Sequence, residues 1–181
     1  MDTVVVAYIA IIAVLIVFSA FFSMSETAFT SANQVRLKRM AKDGDARAER
    51  TLSIMENYDK FLTTILIGNN LVNIGASSLA TTAFALAFVT MASSSVSLLS
   101  TVVMTIVVLI CGEITPKTVA KRNPEKYAMR VCTAIHYVEK LFSPLSWLFT
   151  KFTGAIGRRM GPEAPTMTED ELKEYVAAHM A

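Results

Sequence analysis

Three short runs place polar side chains in an otherwise apolar context: Ser23-Met24-Ser25-Glu26, Gly68-Asn69-Asn70-Leu71-Val72-Asn73 and Gly112-Glu113-Ile114-Thr115-Pro116-Lys117. The Ser25 hydroxyl, the Asn70 amide oxygen and the Glu113 carboxylate form an all-oxygen donor set with one full negative charge. Hard divalent cations, Mg²⁺ or Ca²⁺, take such ligands, whereas zinc and copper sites draw on His and Cys. The only two histidines, His136 and His179, stand outside the apolar runs. Pro116 adds a backbone group. It has no N–H, and its ring clashes with the carbonyl four residues back, that of Gly112, so a kink is expected there, about which the site would rearrange in gating. A carbonyl exposed at membrane depth has to be met by protein, water or an ion.

Each of these residues also has a structural role open to it. Serines in apolar helices bond back to their own backbone. Asparagines such as Asn69, Asn70 and Asn73 tie helices together. Glu113 is spaced to pair with Lys117 at i+4, and Glu26 suits a structural acceptor or a charge at a cytosolic mouth. What favours a site is depth, at ~1.5 Å rise per residue. Asn70 falls roughly 14 Å beyond Phe61, Ser25 roughly 16 Å before Arg36 on an unbroken helix, and Glu113 roughly 6 Å before Lys117.

The elements that hold these runs are membrane helices. Of the 181 residues, 53% are hydrophobic and 18% charged, against about 25% charged in a soluble domain. Mean hydropathy is +0.46. No charged residue occurs in 3–25 or in 61–112. A bilayer core needs roughly 20 apolar residues per helix, so the first stretch holds one span and the second two. A soluble chain of this length has no core large enough to hide both. The expected fold is all-α: three transmembrane helices (about 3–22, 61–89 and 97–115), short cytosolic helices, and an amphipathic juxtamembrane helix.

Charge sets the orientation. Seven basic residues lie between spans one and two, none between spans two and three, and Lys117, Lys121, Arg122, Lys126 and Arg130 follow. Lys/Arg-rich loops stay cytosolic, which puts the N-terminus outside and the C-terminus in the cytosol of a multi-pass protein of the plasma or bacterial inner membrane. The first helix has no basic leader and is expected to be retained. Within the cytosolic loop, about 33–60, Leu37, Met40, Leu52 and Met55 predict two short amphipathic helices around a turn at Asp43-Gly44-Asp45.

Domain boundaries follow: 1–127 for the spans, 128–160 for the juxtamembrane helix and 161–181 for the start of a linker helix. In 128–160, His136, Glu139, Lys140, Lys151 and Pro144 argue for an interfacial helix instead of a fourth span. Thr168 and Glu171 fit a capping box, and a helix begun so near Ala181 is expected of a piece of a longer protein. Cys111 and Cys132 read as reduced small hydrophobes. A net charge of +2 gives no footprint for nucleic acid. No span holds a nucleophile–base or paired-carboxylate arrangement, so the chain is not expected to be an enzyme.

The runs 22–28 (Phe-Ser-Met-Ser-Glu-Thr-Ala), 67–73 (Ile-Gly-Asn-Asn-Leu-Val-Asn) and 112–117 resemble, in order, the transmembrane domain of the CorC/cyclin M (CNNM) family of Mg²⁺ transporters, and most of all bacterial CorC members. The resemblance spans nearly the whole chain, and the three motifs show no departure from the pattern. It implies a homodimeric three-span domain with a juxtamembrane helix, followed in the full protein by CBS modules able to bind nucleotide. It further implies Mg²⁺ export coupled to Na⁺ entry, with Ser25, Asn70 and Glu113 at the ion-binding positions and the carbonyls of Ser23 and Gly112 as further ligands. A different class of function shares these residues: a membrane-embedded Mg²⁺ sensor or anchor that binds without transport. The small residues Gly75, Ala76, Ser77 and Ser78 suit a close helix crossing.

Overall fold

The structure is a computed structural model describing residues 3–160, with side chains as far as Phe149 and at Lys151. The described residues are all-helical. Helix α1 covers Thr3–Ser31, α2 Gln34–Lys42, α3 Ala46–Glu56, α4 Tyr58–Ala87 and α5 Ser93–Val107; a π-helical segment, Val108–Ile114, leads into α6, Thr115–Arg122, and α7 covers Pro124–Met160. The expected capping box at Thr168 and Glu171 lies outside the described residues.

Among the described residues, two stretches are long and apolar enough to cross a membrane: α1 and the continuous helix Ser93–Arg122 made by α5, the π segment and α6. At 30 residues, α4 would reach about 45 Å, but Asn69, Asn70, Asn73 and a series of Ser and Thr make it less apolar. Both long helices outrun their expected spans. α1 continues nine residues past Phe22 to Ser31, and the third runs past Thr115 to Arg122. Apolar content marks where lipid begins, whereas the backbone ladder continues until the sequence breaks it.

Large apolar side chains remain exposed along all three helices, including Val14, Val17 and Phe18 on α1, Leu71 and Ile74 on α4, and Leu98, Val102 and Ile106 on α5. Proteins of water rarely leave so much contiguous apolar surface uncovered.

The chain divides into two compact units at Ser146. In the first, α1 packs against α4, the π segment and α6, and α4 packs against α5. Its interior forms two apolar clusters. One joins Ala76, Ala80 and Met104 with Ile12, Leu15 and Ile16. The other joins Phe22, Phe29, Ile54, Phe61, Ile65, Ala120, Cys132 and Ile135, with the Phe29 and Phe61 rings 4.5 Å apart. Along α1 the level between them is occupied by Ser19 and Ser23, both buried.

The two short helices flank the turn at Asp43-Gly44-Asp45, where Gly44 takes φ 94°, a value glycine adopts without strain. Asn33 and Asp45 cap them by accepting from Arg36 N at 3.1 Å and Arg47 N at 2.8 Å. These helices are tied to α7: Arg50 Nη1 donates to Thr133 Oγ1 at 2.7 Å, and Arg36 lies 3.6 Å from Glu125. α7 starts four residues before the expected boundary at 128, directly after Asn123, and passes through Pro144 without a break. Pro144 leaves the Lys140 carbonyl without its donor and sets its ring against that carbonyl. Both cysteines are free, Cys132 buried and Cys111 exposed. In the second unit, Lys151 Nζ sits 4.1 Å over the Trp147 ring.

Of the small residues on α4, two are used inside the chain. Ala76 is buried against α5 and α1, and Gly75 meets Leu15 of α1. Ser77 and Ser78 are exposed.

Candidate functional site

The polar residues gather at one crossing of α1, α4 and the π segment. Ser19 Oγ donates to Asn69 Oδ1 at 3.2 Å, and Asn73 Nδ2 donates to the same oxygen at 3.4 Å. Gly112 packs against Ser19 so closely that a Cβ built on it would lie 2.7 Å from Ser19 Oγ. One turn along α1 from Ser19, the Phe22 ring packs on Gly68 of α4 in the same manner, with 2.5 Å from a built Cβ to the ring. These glycines set how near the three backbones come.

On α1, Ser19, Ser23 and Glu26 follow i, i+4, i+7 and share one face. Thr30 extends the stripe and hydrogen-bonds Tyr58 Oη of α4 at 2.9 Å. Two atoms, about one turn to either side of the Ser19–Asn69 contact, are buried without a hydrogen-bond partner among the described residues: Ser23 Oγ and Asn73 Oδ1. A buried hydroxyl or amide oxygen left unpaired costs about 1–3 kcal/mol, so each has need of an incoming partner.

A cavity of about 300 Å³ opens between Glu26 and Asn69, walled by Leu62, Thr63, Ile65 and Leu66 of α4. At its rim Glu26 Oε2 pairs with Lys117 Nζ at 3.0 Å. Lys117 is therefore engaged with Glu26 across two helices and not with Glu113 on its own. Glu113 is half-buried and makes no ion pair among the described residues.

Ser25 is buried, its hydroxyl donating to the Phe21 carbonyl at 2.7 Å. At about 100° per residue it sits roughly 120° round α1 from the Ser19–Ser23–Glu26 face. Asn70 is exposed, its Nδ2 donating to the Leu66 carbonyl at 2.8 Å. The crossing thus brings together Ser19, Asn69 and Gly112, while Ser25 and Asn70 sit on neighbouring faces. Both keep oxygen lone pairs available, because each bond uses their hydrogen.

The irregularity expected at Pro116 takes the form of the π-helical segment ahead of it. The Thr115 N–H reaches the Ile110 carbonyl, a five-residue step. Pro116 itself is buried in the first turn of α6 and offers no N–H to Gly112 four residues back or to Cys111 five residues back. The extra residue turns the Gly112 backbone onto Ser19. π-bulges are frequent where a helix carries function.

Ser19 lies in the apolar run of α1, outside the three polar runs. Its signal was the i, i+4, i+7 spacing with Ser23 and Glu26. No cluster of three or more His, Cys, Asp or Glu able to hold a metal occurs among the described residues, so a cation here would meet chiefly neutral oxygens.

Residues 10–181 match the family described as the cyclin M transmembrane N-terminal domain. The UPF0053 inner membrane protein YfjD of Escherichia coli (strain K12) is 35% identical over 87% of this chain and 37% of its own length. A UPF0053 protein of Haemophilus influenzae is 33% identical over 98% of this chain and 42% of its own. The polyamine export protein of Salmonella typhimurium is 31% identical over 91% of this chain and 38% of its own. The chain therefore spans 37% to 42% of the length of these curated relatives. With its whole length from residue 10 matched and its polar residues gathered at one helix crossing, this chain belongs to the cyclin M transmembrane domain family, a family of membrane proteins.

Proposed function

We propose that this domain carries Mg²⁺ across the membrane. Its three spans are α1, α4 and the helix Ser93–Arg122, with the N-terminus outside and α2, α3 and the basic end of α6 in the cytosol. The observation that carries the reading is the polar crossing itself. Among the described residues it is flanked by two buried, unpartnered oxygens, Ser23 Oγ and Asn73 Oδ1, about one helical turn to either side of the Ser19–Asn69 contact. Polar groups inside a membrane are costly and mark ion or substrate pathways.

The ligand set on this reading is Ser25, Asn70 and Glu113, joined by the Gly112 and Ser23 carbonyls. Glu113 supplies the charge, and Pro116 leaves the backbone beside it short of donors. Mg²⁺ binds oxygen at 2.0–2.1 Å in near-octahedral geometry and gives up water reluctantly, so a partly dehydrating site selects for it. A cytosolic ion would enter past Glu26 and displace Lys117. The π segment is the element suited to shift between inward- and outward-open forms. Export driven by Na⁺ entry in a homodimer completes the proposal.

A second reading draws on the cavity between Glu26 and Asn69. One carboxylate at the rim with Leu62, Ile65 and Leu66 as walls also suits an aliphatic amine, and relatives bear the name polyamine export protein. Parallel flux assays on the full-length protein in proteoliposomes, with Mg²⁺ or spermidine and with or without a Na⁺ gradient, separate the two. Mg²⁺ flux lost in Glu113→Ala is the expected result. Spermidine flux alone would replace the Mg²⁺ reading, and Mg²⁺ binding with no flux would make the domain a sensor.

A further inference from the structure

Glu139 stands apart from the crossing. It lies on α7, 6% exposed, and its Oε1 has no hydrogen-bond partner among the described residues. Its neighbours on the same face, Cys132 and Ile135, are buried in the apolar cluster with Phe61 and Ile65 of α4. Farther along, Ser146 Oγ lies 3.4 Å from Thr64 Oγ1 of α4. A carboxyl group is thus held in the seam between α7 and the start of α4, where an aliphatic or amide side chain would be the ordinary occupant.

We infer that Glu139 is a proton-binding site, occupied when α7 is seated on α4 and emptied when that seam opens.

A carboxylate can accept four hydrogen bonds and donate none, so a buried oxygen without a donor is the wrong environment for its charged form. Protonation removes the charge and adds a donor. The charged groups acting on Glu139 are Lys60, in the first turn of α4, and His136, one turn back on α7; both favour the anion. Burial opposes them and prevails, raising the Glu139 pKa above the ordinary carboxylate value.

The sign of the linkage follows. A group that binds its proton more tightly in the packed state contributes stability that is full below its unpacked pKa and is lost as pH rises through the packed one. Raising pH therefore loosens α7 from α4. Because α2 and α3 are tied to α7 through Arg36–Glu125 and Arg50–Thr133, the cytosolic helices share in that release. The site is independent of which cation the crossing carries.

The test is an infrared pH titration of the full-length protein in lipid nanodiscs, with amide hydrogen exchange of α7 followed in parallel and corrected for intrinsic rates. A protonated-carboxyl band is expected to persist above the ordinary glutamate range and to vanish in Glu139→Gln. The wild type should lose protection in α7 as that band disappears, and the Gln variant should keep it. Lys60→Met leaves Glu139 in place and is expected to move the midpoint upward, since a cation that favours the anion is gone. A band unchanged in Glu139→Gln, or a midpoint unmoved in Lys60→Met, would overturn the assignment. So would α7 protection with the same pH dependence in wild type and Glu139→Gln.

Discussion

Gly112 and Ser19 meet with no room between them: a methyl on Gly112 would stand 2.7 Å from the Ser19 hydroxyl oxygen and 3.3 Å from its Cβ. Gly112→Ala is therefore expected to destabilise the helix packing by about 1–3 kcal/mol, the usual cost of overpacking. Ser19→Ala alone should cost about 1 kcal/mol, through the bond it removes from Asn69. Combined, the two should cost less than their sum, because the closest atom has gone. Unfolding in detergent, read as a double-mutant cycle, measures the coupling.

Gly68 and Phe22 make a second such contact, with 2.5 Å from a built Cβ to the ring. Gly68→Ala should be destabilising on the same scale, about 1–3 kcal/mol, and Phe22→Leu should rescue part of the loss. The same unfolding assay decides it. An additive pair would mean that the ring moves aside freely.

Ser23 offers an opposite sign. Its hydroxyl is buried and has no partner among the described residues, so Ser23→Ala removes a desolvated polar group and should be neutral or stabilising by about 1 kcal/mol in the absence of cation. If the Ser23 oxygens serve an entering ion through the hydroxyl, the same variant should lower Mg²⁺ flux. If only the carbonyl serves, flux should be unaffected. Thermal unfolding and liposome flux on one preparation give both answers.

Lys117 and Glu26 are 38% and 39% exposed, so their pairing should contribute at most about 1 kcal/mol to stability. Lys117→Gln is expected to leave unfolding nearly unchanged while altering entry, since it frees the carboxylate at the rim of the cavity. Glu26→Gln should weaken cation uptake. Flux measured against cytosolic-side cation concentration distinguishes an effect on entry from one on the transport step.

For the ligand set, isothermal titration of Mg²⁺ into Glu113→Ala and Asn70→Ala proteins should show affinity lost by about tenfold or more, about 1.4 kcal/mol each. Asn69→Ala should instead act on the packing, because its amide already accepts from Ser19 and Asn73. Unchanged Mg²⁺ affinity in both Glu113→Ala and Asn70→Ala would remove the assigned site.

The sequence by itself determined the helical class, the runs from which the long helices are built, the turn at Gly44 and the three polar runs. These follow from local causes: uncharged stretches of fixed length, side-chain periodicity, and caps such as Asn33 and Asp45 that act within a few residues. It also led to the expected family. Only the tertiary structure decided which of the polar residues meet. Asn69 faces Ser19 and Asn70 does not, although they are adjacent, because one residue of helix is a 100° turn and only packing fixes the rotation about the axis. Ser19 enters the crossing through that rotation and through the smallness of Gly112. Lys117 pairs with Glu26 and not with Glu113 because α6 packs beside α1, a choice between two carboxylates that spacing alone leaves open. The burial of Glu139 is likewise a property of the α4–α7 seam. Along the chain it is one charge among several on an amphipathic helix, and only a neighbouring helix decides which of those charges is enclosed.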